Sequence, residues 1–216
     1  MSLKACIYDL DGVITDTAHY HYKSWKWVGE QLDYQLTEKQ NQKLKGIGRK
    51  ESLDKILDWS GARISEAEKQ NLLVKKNRMY LDLIDNMNPE EVFPGFKEFN
   101  RNAKEAGLKV AVGSSSRNAV RIIDKLDLVL AFHAIVDGGM TEHSKPEPDI
   151  FLLAAEKLQI DPINCLVIED SQAGITAAKK ASMKCVHYGS DKGLKGAQLN
   201  IGSWKEADLE NFKNLF

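Results

Sequence analysis

Tyr8-Asp9-Leu10-Asp11-Gly12-Val13-Ile14-Thr15 places two carboxylates two residues apart at the exit of a short apolar strand. Aspartate is a poor strand former, so a pair of them there calls for a reason. The run Leu3-Lys4-Ala5-Cys6-Ile7-Tyr8 reads as a buried strand, and Gly12 allows a sharp turn after it. Residues two apart in an extended segment share a face. Asp9 and Asp11 are therefore expected to face one space beyond the strand end, where open α/β sheets bind ligands. One carboxylate suits a metal-bound nucleophile and its neighbour suits proton transfer. A solvated Asp-Gly turn explains an isolated motif of this kind equally well.

After Gly107 short apolar runs alternate with amphipathic stretches: Leu108 to Val112, Ala119 to Leu130, Ala134 to Val136, Ile150 to Leu158, Cys165 to Ile168, Ala173 to Ala181 and Lys184 to Tyr188. This βαβα rhythm predicts a parallel sheet covered on both faces, to which the first strand also belongs. Residues 17–88 differ, with helical periodicity and almost no strand signal. Trp25, Val28 and Leu32 share one helical face; Leu53, Ile56 and Leu57 share another before Gly61; Leu72, Leu73, Tyr80, Leu83 and Ile84 mark a third helix. Phe93-Pro94-Gly95 restarts the α/β portion with a turn. The expected organisation is an α/β core from residues 1–16 and 89–216, with residues 17–88 inserted as an all-helical cap above the strand ends. Such a cap opens for substrate and closes against water.

At 216 residues the chain is long enough for a full core, and its 30 Lys and Arg against 31 Asp and Glu leave no global field for nucleic acid or an anionic membrane. No long uncharged apolar run suggests a membrane span or signal peptide, which leads us to expect a cytoplasmic protein without nucleic-acid or membrane partners. Cys6, Cys165 and Cys185 form an odd set inside apolar runs and are expected to be buried free thiols. His19, His133, His143 and His187 show no transition-metal spacing, and Trp27, Trp59 and Trp204 are expected to pack.

Three further motifs stand at predicted strand ends. Gly113-Ser114-Ser115-Ser116-Arg117-Asn118 follows one strand and opens a helix, offering N–H and hydroxyl groups to a phosphate; helix capping by Ser116 is the competing reading. Lys145-Pro146-Glu147-Pro148-Asp149 holds a lysine on a segment stiffened by proline, where its ammonium would balance phosphate charge or merely decorate the surface. Glu169-Asp170 ends the apolar strand Cys165-Leu166-Val167-Ile168, a costly place for two acids unless paired or metal-bound. With Asp9 they would make an all-oxygen site suited to Mg²⁺, although Asp170 could instead cap the next helix.

The order DxD, Ser, Lys, acidic pair along one parallel sheet resembles the haloacid dehalogenase superfamily of phosphotransferases. The resemblance implies a Rossmann-like core with an inserted cap, Asp9 as the phosphorylated nucleophile and Asp11 as general acid/base. It further implies that Ser114 and Lys145 hold the phosphoryl group. Glu169 and Asp170 would complete a Mg²⁺ site with Asp9 and the Asp11 backbone carbonyl.

The cap residues Thr17, His21 and Trp25, the run Lys45-Gly46-Ile47-Gly48-Arg49-Lys50-Glu51-Ser52, and Lys75-Lys76-Asn77 are similar to the glucose-phosphate mutase branch of that superfamily. That similarity implies that Arg49 grips the non-transferring phosphate with Lys45, Gly46, Ser52 and Lys76 nearby. Ser115, Ser116, Arg117 and Asn118 complete the substrate-binding set. A guanidinium suits bidentate phosphate recognition. A solvated basic helix face, with Trp25 as simple core, remains the alternative. The implied reaction interconverts β-D-glucose 1-phosphate and glucose 6-phosphate in a monomer, primed by glucose 1,6-bisphosphate. A sugar-phosphate phosphatase, or a mutase for a related sugar, is the runner-up, and a catalytically silent binding protein ranks far behind. Gly48, where that branch often has Ser, and Ser115, where Ala is common, are departures that bear on loop rigidity or sugar preference.

Overall fold

The computed structural model describes residues 2–44, 46–189 and 193–216. Six strands, β1 Ala5–Tyr8, β2 Lys109–Gly113, β3 Ala134–Val136, β4 Cys165–Glu169, β5 Lys184–Tyr188 and β6 Leu199–Ile201, form one sheet. Every pairing is parallel, in the order β3-β2-β1-β4-β5-β6. The chain builds from β1 outward through β2 and β3, then returns to β1's other edge with β4. The strand order therefore reverses at β1, and the Asp9 turn opens into the crevice that such a reversal creates.

Side-chain alternation explains the two layers against the sheet. Cys6, Tyr8, Val110, Val112, Leu166 and Ile168 point to one side, packing with Phe96 and Phe99 of α5 (Phe96–Glu105), Ile122 of α6 (Ala119–Lys125) and Phe212 of α9 (Leu209–Lys213). Ala5, Ile7, Ala111, Cys165 and Val167 point to the other, against Phe151 of α7 (Asp149–Leu158) and Ile175 of α8 (Gln172–Lys180). All three cysteines are buried and free, and burial pushes the Cys6 and Cys165 thiols up to about 12.

The region between β1 and β2 forms α1 Ala18–Glu30, α2 Glu38–Gln42, α3 Arg49–Ser60 and α4 Glu66–Ile84 around an apolar cluster containing Trp25, Val28, Leu53, Ile56 and Leu73. The periodicity predicts three helices; α2 is additional. It is five residues long, too short for a periodic signal, and is started by a reciprocal Thr37–Gln40 capping box. Gly61, at φ 70°, ends α3 as expected. Also unanticipated are β6 and α9, whose three and five residues carry no pattern of their own.

The two crossings between the layers run side by side. Thr15 and Val92 make an antiparallel bridge, Phe93 N–H donates to the Ile14 carbonyl (2.8 Å), and the Thr15 hydroxyl donates to the Glu91 carbonyl (2.8 Å). Trp204 braces this hinge from below, donating its indole N–H to the Val13 carbonyl (2.7 Å) while stacking on Tyr188. No helix among the described residues is long and apolar enough to cross a membrane.

Candidate active site

Between the cap helices and the strand ends lies a cavity of about 420 Å³, lined by Asp9, Asp11, Thr17, His21, Trp25, Gly46, Arg49, Ser52, Lys76, Ser115, Ser116, Arg117 and Asn118, among others. The motifs that stand apart in sequence are thus brought to one space. Ser114 and Lys145 are fully buried beneath its floor, and Glu169 lies there with Lys145. Lys45 falls outside the described residues.

The floor is a buried charge cluster. Lys145 Nζ donates to Asp9 Oδ1 (2.6 Å) and to Glu169 Oε1 (2.8 Å), and lies 4.7 Å from the centre of the Phe151 ring. A surface role for this lysine is excluded. Glu169 Oε2 accepts from the Ser171 N–H (2.6 Å) and hydroxyl (2.8 Å), so both of its oxygens are engaged. Burial drives the Asp9 carboxyl up; the Lys145 ammonium opposes this, while Glu169, Asp11 and Asp170 push further up. Burial acts against the charged lysine too, but Asp9 and Glu169 outweigh it and keep Lys145 protonated.

One ammonium among this many acids leaves the floor short of positive charge, which is the electrostatic signature of a cation site. Glycine at 12, with φ +91°, lets the Asp170 carboxylate close on the turn: a β-carbon there would lie 2.1 Å from Asp170 Oδ2. No group of three or more Asp, Glu, His or Cys side chains among the described residues forms a metal site by itself. A Mg²⁺ ion here would instead draw on the Asp9 and Asp170 carboxylates together with backbone oxygen. Ser171, not Asp170, caps α8, accepting from Gly174 N–H (3.1 Å), which corrects the capping reading.

Asp11 turns away from that cluster. Its Oδ1 accepts from the Thr17 hydroxyl and lies 3.9 Å from His21 Nε2, while its Oδ2 accepts from Ser114 (3.3 Å). Burial raises its pKa against the lowering effect of these hydroxyls and of Lys145, which favours retention of a proton. Asp9 and Asp11 thereby acquire different environments two residues apart, as an acid and a nucleophile require.

The roof is basic. Lys76 is buried, with Nζ 3.2 Å from His21 Nδ1 and over the rings of Trp25 (4.6 Å) and Tyr80 (4.7 Å). Burial, with Arg49 nearby, pulls the Lys76 pKa well down; burial, with Lys76 and Arg49, does the same to His21, which therefore stays neutral near pH 7. Trp25 is at once core of the cap and wall of the cavity. Arg49 donates to Asn77 Oδ1 (2.7 Å), which also accepts from Asn118 across the seam (3.0 Å). Ser52 is buried, with its hydroxyl on the Gly48 carbonyl (2.9 Å). Ser116 does not cap α6: Asn118 holds that position, and Ser116 Oγ accepts from Asn118 N–H (3.2 Å) within the preceding turn.

Sequence reasoning leaves Tyr80 as a core residue and gives Ser171 no role. Tyr80 packs against His21 with ring centres 4.3 Å apart and the rings tilted by 31°, and Ser171 fixes Glu169. Neither has a motif signal: Tyr80 acts through His21 from another helix, and Ser171 through the backbone turn that returns it to Glu169 two residues earlier.

Residues 3–182 match the family model for haloacid dehalogenase-like hydrolases, and the chain belongs to that family. It is 44% identical to the β-phosphoglucomutase of Bacillus subtilis over 96% of this chain and 93% of that protein. It is 29% identical to a phosphorylated carbohydrates phosphatase of Thermotoga maritima, over 86% of this chain and 84% of that one. The crystal structure of β-phosphoglucomutase from Clostridium difficile superposes with a TM-score of 0.94 at 37% identity, covering 98% of this chain and 96% of that one. The protein is thus a phosphotransferase-type enzyme of this family, which generally uses Mg²⁺.

Proposed function

We propose that the chain acts as a β-phosphoglucomutase, interconverting β-D-glucose 1-phosphate and D-glucose 6-phosphate through β-D-glucose 1,6-bisphosphate and a phospho-Asp9 enzyme. The observation that carries this reading is the polarity of the cavity: a nucleophile with its lysine below, and the Arg49 guanidinium above. A hexose bearing two phosphates matches both poles. A phosphatase needs only the lower one.

In the forward direction a carboxylate oxygen of Asp9 attacks phosphorus and the bond from phosphorus to the sugar oxygen breaks. Asp11 delivers its proton to that oxygen. In the second half-reaction Asp11 takes the proton from a sugar hydroxyl, which attacks phospho-Asp9 and leaves the carboxylate free. Proton transfer by Asp11 is general acid/base help, typically worth about 10²–10⁴-fold, while Lys145 balances charge on the transferring group. A Mg²⁺ ion held by Asp9 and Asp170 would supply further neutralisation of the phosphoryl oxygens. Arg49 grips whichever phosphate is not reacting, so glucose 1,6-bisphosphate serves both as primer and as the intermediate that rebinds reversed. The same reading places the enzyme in the cytoplasm, in keeping with three buried free thiols.

The test supplies Mg²⁺ and β-D-glucose 1-phosphate with a trace of bisphosphate, and follows glucose 6-phosphate and inorganic phosphate together. Fast glucose 6-phosphate with little phosphate supports the mutase; phosphate without isomerisation transfers the function to hydrolysis. Arg49→Ala should lower kcat/KM for isomerisation by about 10- to 100-fold, the scale of a lost charged hydrogen bond. Full isomerisation by that variant contradicts the two-pole reading.

A further inference from the structure

Gly48, Glu51 and Ser144 line the cavity but take no part in the reaction set out above. Glu51 lies in the first turn of α3, two residues after Arg49, and its Oε1 accepts a 2.9 Å hydrogen bond from the Ser144 hydroxyl, 93 residues away. Ser144 immediately precedes Lys145, whose ammonium holds Asp9. A single bond therefore joins the cap turn bearing the phosphate-gripping arginine to the core segment bearing the lysine.

Gly48 makes that approach possible. A β-carbon at position 48 would lie 2.3 Å from Glu51 Oε2, 2.6 Å from Ser144 Oγ and 3.0 Å from Ser144 Cβ. Its φ of −68° and ψ of 162° suit any residue, so glycine supplies room here rather than backbone freedom. A second bond crosses the same seam close by, from the Ser115 hydroxyl to the Gly46 carbonyl (3.0 Å).

We propose that Glu51 is a positioning residue that, through Ser144, couples closure of the cap over a sugar phosphate to placement of Lys145 beside Asp9. This deepens the function proposed above and rests on its assignment of Arg49 to the distal phosphate. Engagement of Arg49 draws the first turn of α3 to the core; the Glu51–Ser144 bond then favours the closed form and holds the start of the lysine segment. Weakening the bond lowers the competent fraction of the protein, and apparent affinity falls by the same factor.

The full-length protein is compared with Glu51→Ala, Ser144→Ala, their double variant, Glu51→Gln and Gly48→Ala. Each alanine variant at 51 or 144 should raise KM for β-D-glucose 1-phosphate about 10-fold with kcat within about threefold, the scale of one lost hydrogen bond to a charged group. The double variant should be no worse than the poorer single one, because both remove the same bond. Glu51→Gln keeps an acceptor oxygen and should stay within about threefold of the parent, whereas Gly48→Ala keeps both partners and should raise KM by filling their space. Small-angle scattering of the free protein should show the alanine variants more extended than the parent. Unchanged KM, additive losses, or a loss confined to kcat overturns the coupling. If the parent protein itself fails to isomerise, the proposed function falls, and scattering alone decides the latch: equal dimensions for parent and variants reject it.

Discussion

Asp9→Asn is expected to abolish turnover, by about 10⁴-fold or more, the scale for removing a nucleophile that works as a unit with its neighbours. The amide keeps the shape of the carboxylate but cannot form the acyl phosphate. Asp9 is only 4% exposed and its Oδ1 sits on Lys145, which fixes the carboxylate in the floor. The variant should nonetheless fold well. Burial raises the Asp9 pKa above its ordinary value, as do Glu169, Asp11 and Asp170, against Lys145. Between the unfolded value and that raised one, the unfolded chain loses its proton first, so stability drains away as pH rises through this window. Asparagine removes that penalty and leaves Lys145 paired with Glu169. Without Mg²⁺, Asp9→Asn should therefore melt at or above the parent's temperature at pH 7. With Mg²⁺ the parent should gain more than the variant, because a ligand has been lost. Steady-state isomerisation and thermal melting check both halves; turnover within tenfold of the parent would remove Asp9 as the nucleophile.

Lys145→Met should be the most destabilising single change at the site, and should cripple catalysis as well. The lysine is 1% exposed and spans Asp9 and Glu169 at 2.6 and 2.8 Å. Methionine fills the space beside Phe151 but leaves both carboxylates without their cation. Breaking a buried pair in this way costs roughly 3–5 kcal/mol. For a chain of this length that corresponds to a fall in Tm of about 6–20 °C. Adding Glu169→Gln should recover part of the loss, since it removes one of the stranded charges. Lowering the pH should narrow the gap too. The Asp9 carboxyl, whose folded pKa is raised, takes up a proton as pH falls through that value, and a neutral acid needs no partner. Thermal melts of the parent, both single variants and the double variant across pH provide the check. A Lys145→Met protein within about 1 kcal/mol of the parent would show that Asp9 and Glu169 do not depend on the ammonium.

Much of the fold is legible in one dimension because its cause is local. Alternating apolar strands and amphipathic helices after Gly107 announce a parallel sheet, and the helical periodicity of 17–88 announces an insertion. Three short elements escape, since α2, α9 and β6 span little more than one period of their pattern and lack the apolar runs that mark the other short strands. Caps are misread by a residue or two for a related reason. Ser116 and Asp170 are both good capping residues, and only the path of the backbone selects Asn118 and Ser171.

What the sequence determined by itself is which groups are available and where on the sheet they stand: Asp9, Asp11, Ser114, Lys145, Glu169 and Asp170 at or just beyond strand ends, with Arg49 and Lys76 on the insertion. Chain chemistry and strand spacing suffice for that, because every parallel strand ends on the same side. Only the tertiary structure decided which acid meets which base. Glu169 binds Lys145 and Ser171, Asp11 turns to Thr17 and Ser114, and Glu51 reaches Ser144 across the seam. The pairings of Glu169 with Lys145, Asp11 with Ser114 and Glu51 with Ser144 join residues far apart in sequence, and the worth of them all comes from desolvation. A hydrogen bond or charge pair gains its strength when the fold excludes water around it, and exclusion belongs to the packed layers rather than to any one segment.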